Sequence, residues 1–281
     1  MQTDQQLKEL VRQKYSEIAS QDKDVNQASC CGAGGCSTEV YNIMSDDYAG
    51  LDGYAADADL GLGCGLPTQY AKIAPGDTVI DLGSGAGNDV FIARAEVGES
   101  GYVIGVDFTP AMIEKAKLNA AKLGFSNVEF RQGDIEEMPV DSNTADVIVS
   151  NCVLNLVPDK KAVMKDIYRV LKPGGHFSIS DIVLKGDLPQ ALKQAAEMYA
   201  GCVSGAIQKD AYLECITITG FENLTIQKEK MIIIPDDILK QYLSEAELTS
   251  FRNSDVGIYS VTVYAEKPTV PKNCCGPDCC K

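Results

Sequence analysis

The chain is poor in the residues that several common chemistries require. It holds one histidine, His176, in 281 residues. One imidazole cannot supply a His-Cys zinc site of the usual kind, nor a Ser-His-Asp triad with a spare ring. Cationic side chains are also scarce: 25 Lys and Arg stand against 40 Asp and Glu, a formal charge of −15. No basic run occurs, so the chemistry of phosphate neutralisation points away from nucleic acid. No apolar stretch approaches the ~18 residues of a membrane span, so no membrane insertion is expected. The polar start, Met1 to Gln6, shows no basic region followed by an apolar one, and no signal peptide is expected. The cytoplasm is the default location.

What is abundant is cysteine. Eleven are many for a compartment that keeps thiols reduced, and an odd count argues against a pure disulfide framework. The length suffices to bury roughly 75% of the unfolded surface, so no staples are needed.

The chain is organised around Thr78-Val-Ile-Asp-Leu-Gly-Ser-Gly-Ala-Gly-Asn88. Val79 and Ile80 open an apolar β-branched run that reads as a buried parallel strand. Gly83, Gly85 and Gly87 turn the chain, and an amphipathic helix follows with Val90, Phe91 and Ala93 on its apolar side. This layout brings backbone N–H groups close to a nucleotide-like ligand. The dinucleotide fingerprint needs a glycine where Asn88 stands. The pattern present is Asp81-x-Gly83-x-Gly85-x-Gly87. Asp107 ends the next apolar run, 107 − 87 = 20 positions on, and suits ribose hydroxyls; a strand-end turn former is the alternative.

From 78 to 182 strand and helix alternate. Strands are expected at 78–82, 102–107, 127–131, 145–150 and 175–183, and helices at 88–97, 110–123 and 159–171. Thr109 caps and Pro110 opens the second helix; Lys172-Pro-Gly-Gly175 ends the third. The alternation predicts an α/β doubly wound parallel sheet. An amphipathic helix is expected at 4–20, and a helical segment at 67–73. The C-terminal part reads as helices at 189–200, 206–219 and 236–244, with strands at 222–234 and 257–266 pairing antiparallel at the sheet edge. The boundaries are 1–66 for an N-terminal helix and Cys-rich segment, 67–185 for the core, 186–268 for a small α+β extension, and 269–281 for a Cys-rich tail expected to be disordered unless it binds something.

Asp134 and Ile135 follow strand three at the same sheet edge. They suit an adenine amine and an apolar wall, unless Asp134 only caps a following turn. Asn151 ends strand four there and joins the candidate cofactor-binding set. Asp81 reads as an organiser of the glycine turn. Cys215 reads as core and His176 as structural. Taken singly, Cys64, Cys152 and Cys202 are each small buried hydrophobes by default. Only Cys152 is placed near the chemistry by topology.

The glycine block with its two acids resembles motif I and the acidic partner of S-adenosylmethionine-dependent methyltransferases, and implies their Rossmann-like class I sheet. Four further segments narrow the likeness: Leu62-Gly-Cys-Gly65, Ser150-Asn-Cys-Val153 with Asn155-Leu-Val-Pro158, Tyr168-Arg-Val-Leu-Lys-Pro-Gly-Gly175, and Cys202 with Gly205-Ala206. Together they resemble the arsenite S-adenosylmethionine methyltransferases.

That resemblance implies a trithiolate site for As(III) at Cys64, Cys152 and Cys202, with arsenite and methylarsenite as substrates. It implies a redox cysteine at Cys30 (Cys31 and Cys36 are close), exchanging with Cys64 and reduced by thioredoxin or glutathione. Leu62 stands where some members carry tyrosine. The cleft of such an enzyme needs no second chain, so a monomer is expected. Two other readings share parts of the pattern: a methyltransferase of an organic small molecule, and a protein that binds soft metals without catalysis. The tail cysteines either gather arsenite and pass it inward or are dispensable.

Overall fold

The computed structural model describes residues 3–21, 47–189, 205–233, 236–240, 242–254 and 256–269. Helix α1 spans Asp4–Ala19, and the next element among the described residues is a single turn, α2 (Pro67–Tyr70). Then come β1 (Thr78–Leu82), α3 (Asn88–Val97), β2 (Tyr102–Asp107), α4 (Pro110–Leu123), β3 (Val128–Gln132) and β4 (Ala145–Asn151). A 3-10 turn at Leu154–Leu156 leads to α5 (Lys160–Val170) and β5 (Leu171–Lys185). The chain closes with α6 (Lys209–Thr219), β6 (Glu222–Ile232), α7 (Asp236–Leu239), α8 (Glu245–Arg252) and β7 (Gly257–Glu266).

The seven strands form one sheet in the order β3-β2-β1-β4-β5-β7-β6. The first five run parallel. β7 enters antiparallel to β5, and β6 antiparallel to β7, as the short connection between the last two strands predicts. The order reverses between β1 and β4, and the carboxyl ends flanking that reversal are where an open α/β sheet binds ligands.

Period-two alternation splits the buried strands between two cores. Ile80, Leu82, Ile104 and Ile148 pack with Met164 and Ile167 of α5 and Tyr212 of α6. Val79, Val103, Val147 and Val149 face the other way, onto Phe91 of α3 and Met112 of α4.

Several details depart from the sequence reading. Helix α3 is not half-polar: Asp89, Val90, Phe91, Ile92 and Ala93 are all buried. The segment before the core covers its outer side, with Tyr48, Leu66 and Ile92 in one cluster. Pro110 opens α4 as expected, but the Thr109 side chain makes no capping bond; Asp107 takes the Thr109 N–H instead. β5 starts at Leu171, with a register shift against β4 that absorbs the Lys-Pro-Gly-Gly stretch. The helix expected at 236–244 is a single turn. A separate helix, α8, begins where Ser244 and Glu247 form a capping box. Cys215 is half-buried rather than core, and its neighbour Ile218 is exposed. His176 is structural: its Nε2 lies 2.6 Å from the Ala71 carbonyl oxygen.

Candidate active site

A cleft open at its mouth lies over the carboxyl ends of β1, β2 and β4. Asp81, Gly83, Gly85, Asp107, Asp134, Ile135, Asn151 and Cys152 all line it. Gly87 sits one step behind as the residue preceding α3.

The three glycines are required for different reasons. All have positive φ: +66° at Gly83, +51° at Gly85 and +101° at Gly87. A Cβ on Gly83 would lie 2.4 Å from Val153 Cγ2, and one on Gly87 would lie 2.8 Å from Phe91 Cζ. A Cβ on Gly85 would meet no protein atom within 4 Å. Gly85 therefore faces the open cleft, where a guest approaches the backbone.

Asp107 accepts the Gly85 N–H at 3.0 Å and the Thr109 N–H at 2.8 Å. It thus organises the turn and still offers its remaining lone pairs to the cleft. Asp134 takes the turn-capping role that was the alternative reading, and adds an ion pair. Its Oδ1 accepts the Glu136 N–H at 3.0 Å, and its Oδ2 pairs with Lys8 at 2.6 Å. Lys8 and Tyr15 bring α1 across the cleft beside Asp134.

The floor is acidic. Asp81, Asp89 and Asp107 are buried, and burial raises each carboxyl above its ordinary range. Asp81 is pushed well up, with Asp89 and Asp107 adding repulsion. Asp89 rises to about 6; hydrogen bonds from Asn151 and Tyr48 oppose the burial effect. Among the described residues, Ser84 Oγ, Asn88 Oδ1 and Asp89 Oδ1 are buried lining atoms without a hydrogen-bond partner. Orphaned acceptors, uncompensated carboxylates and space above Gly85 suit a polar guest that carries positive charge.

At the β4 end of the cleft, Cys64 and Cys152 come together as a disulfide, Cα to Cα 5.7 Å, across 88 residues of sequence. The expected partners of Cys64, Cys30 or Cys31, lie outside the described residues, and so does Cys202. Cys64 is instead paired with Cys152. Cys152 holds φ +62°, a left-handed backbone that costs a non-glycine residue about 1–2 kcal/mol. Its N–H donates to the Ser180 carbonyl at 2.8 Å, which fixes that conformation.

Sequence reading missed Tyr48 and Asp89. The Tyr48 hydroxyl lies 3.1 Å from both Asp89 Oδ2 and the Gly65 carbonyl oxygen, and beside the Asn151 amide. Asp89 carried a signal, a carboxylate in the first turn of a helix; Tyr48 carried none.

A switch-point cleft with this glycine turn and acidic floor defines a class I methyltransferase. Residues 73–220 match the profile of a methyltransferase-domain family. An arsenite methyltransferase of Halobacterium salinarum is 40% identical over 279 residues, covering 94% of this chain and 67% of that protein. One from Aquipseudomonas alcaligenes is 32% identical over 251 residues, covering 87% and 70%. The crystal structure of an arsenic(III) S-adenosylmethionine methyltransferase from Chlamydomonas reinhardtii aligns with a TM-score of 0.62 at 30% identity, covering 85% of this chain and 76% of that one. The chain belongs to the arsenite methyltransferase family.

Proposed function

We propose that the protein methylates trivalent arsenic, with S-adenosylmethionine in the cleft and arsenic on the thiolates of Cys64, Cys152 and Cys202. The observation that carries the reading is the meeting of Cys64 and Cys152 beside the acidic, glycine-lined cleft. When bound, the cofactor supplies an electrophilic sulfonium methyl. Gly83, Gly85 and Gly87 let the backbone approach it, Asp107 accepts from its ribose, Asp134 and Ile135 border its adenine, and Asp81 and Asp89 offset its positive charge.

Thiolates are the ligands a soft centre prefers. Three of them hold arsenic in a pyramid and leave its lone pair free to act as the nucleophile. No proton leaves that nucleophile, so no general base is needed. This agrees with a site built without histidine. Holding both reactants in line is worth up to ~7–11 kcal/mol in favourable cases.

Methyl transfer formally oxidises the arsenic by two electrons. Thiols return it to the trivalent state and become a disulfide, which thioredoxin or glutathione then reduces. A dithiol pair already within bonding reach, Cys64 with Cys152, supports that cycle; Cys30 is the relay toward the external reductant. The protein works as a monomer in the cytoplasm. Among the described residues no helix is long and apolar enough to cross a membrane.

The test is a methyl-transfer assay with arsenite, a thiol and labelled cofactor, with mass detection of methylated arsenic. Cys152→Ser and Cys202→Ser each abolish methylation while cofactor binding persists. Full turnover in either variant overturns the trithiolate site.

A further inference from the structure

Cys64 lies on an irregular loop and Cys152 follows a strand, so a contact between them has to hold their sulfurs in register. One side chain spans that gap. Asn151 Oδ1 accepts the Cys64 N–H at 2.9 Å, and Asn151 Nδ2 donates to the Gly65 carbonyl at 2.8 Å. The carboxamide therefore grips the peptide on both sides of Cys64, and the next residue along its own chain is Cys152.

The opposite side of Cys64 is held from the far strand. Ser260 Oγ on β7 donates to the Cys64 carbonyl at 2.6 Å. The loop is flush against these anchors. A Cβ on Gly63 would lie 2.7 Å from Asn151 Nδ2, and one on Gly65 would lie 2.5 Å from Ser180 Oγ. Tyr48 and Asp89 back the carboxamide, with Asp89 Oδ2 3.2 Å from Nδ2.

We infer that Asn151 is a positioning residue that sets the spacing of the Cys64 and Cys152 sulfurs, with Ser260 as its counterpart on β7. The inference deepens the proposed arsenic site and rests on that reading for its catalytic meaning, but the spacing itself can be measured without arsenic. It also gives Asn151 a role other than the cofactor contact expected from sequence. The residue type is specific. A carboxamide presents one acceptor and one donor on a short planar head. Aspartate has no donor for the Gly65 carbonyl, and alanine has neither group.

The experiment uses the full-length chain equilibrated in glutathione buffers. The reaction is dithiol plus oxidised glutathione giving the Cys64–Cys152 disulfide plus two reduced glutathione. Free thiols are trapped, and that pair is quantified by peptide mass. Cofactor affinity is measured alongside. In Asn151→Ala the effective concentration of one thiol toward the other falls at least about tenfold, beyond any change in S-adenosylmethionine affinity that follows from losing its hydrogen bond to Asp89. Asn151→Asp falls in the same direction, and Ser260→Ala falls less. Phenylarsine oxide, a probe that bridges two thiols, loses affinity in parallel.

An unchanged thiol equilibrium in Asn151→Ala, or a loss confined to cofactor affinity, overturns the inference. If Asn151→Ala does not fold, Asn151→Asp and Ser260→Ala decide it by the same two readouts. A fallen thiol equilibrium in a protein whose parent makes no methylated arsenic sinks the proposed function and leaves the positioning role standing.

Discussion

Lys8 Nζ lies 2.6 Å from Asp134 Oδ2, so helix α1 is tied to the rim of the cleft. Glu136 takes the same ammonium from the other side. Lys8 and Asp134 are each about one-third exposed, and a pair of that kind adds only ~0–1 kcal/mol to stability. Its position matters more than its strength, because α1 covers the cleft through Lys8 and Tyr15. Lys8→Ala is expected to speed cofactor dissociation several-fold while shifting unfolding by less than ~1 kcal/mol. Stopped-flow displacement of S-adenosylhomocysteine against thermal unfolding separates the two effects.

The glycine turn predicts a split between affinity and stability. Gly85→Ala places a methyl into open cleft, so cofactor affinity falls while stability drops by only ~1 kcal/mol for the positive φ. Gly87→Ala drives a Cβ against the Phe91 ring at φ +101° and destabilises the fold by more than that. Calorimetric binding and chemical denaturation of the two variants would show opposite rank orders. The same rank in both measurements would refute the assignment of Gly85 to the guest.

The acidic floor makes cofactor binding depend on pH. Burial raises Asp89 to about 6 and holds Asp81 well above its ordinary range, so protonating Asp89 on acidification removes negative charge that faces a cationic guest. Affinity for S-adenosylmethionine is expected to fall as pH drops through 6, by at most about tenfold per pH unit for each proton taken up. S-adenosylhomocysteine lacks the sulfonium charge and should respond less. Parallel titrations at pH 5 and 7.5 check this, and identical slopes for the two ligands would count against it.

Asp181 on β5 is fully buried, and burial raises its carboxyl from the ordinary 3.8 to about 7. The folded chain thus holds this proton more tightly than the unfolded chain. Its stabilising effect is complete below the unfolded value and is lost as pH rises through 7. Asp181→Asn keeps an oxygen for the Ile182 N–H at 3.0 Å and the Asn155 amide at 2.7 Å, without the ionisation. The variant should flatten the pH–stability curve between 4 and 7, by an amount on the order of 4 kcal/mol at most. Urea unfolding at three pH values measures it.

The core was legible because its signals are local. β1, β2, α3 and α4 end where the sequence reading put them, since glycine, proline and buried β-branched runs act within a few residues of themselves. The capping box that starts α8 is equally local, in Ser244 and Glu247, although the helix expected at 236–244 ends where α8 begins. The polar role of Asp134 was less legible, because Lys8 is 126 residues away.

Composition and local pattern alone determined the class of fold, the cleft edge and the glycine turn. Only tertiary structure decided that Asn151 grips Cys64, that Ser260 closes from β7, and that Cys152 adopts a left-handed backbone beside its partner. Turns and strands are written by neighbours in sequence. Two sulfurs 88 residues apart meet through contacts among elements far apart in sequence, which no local pattern records.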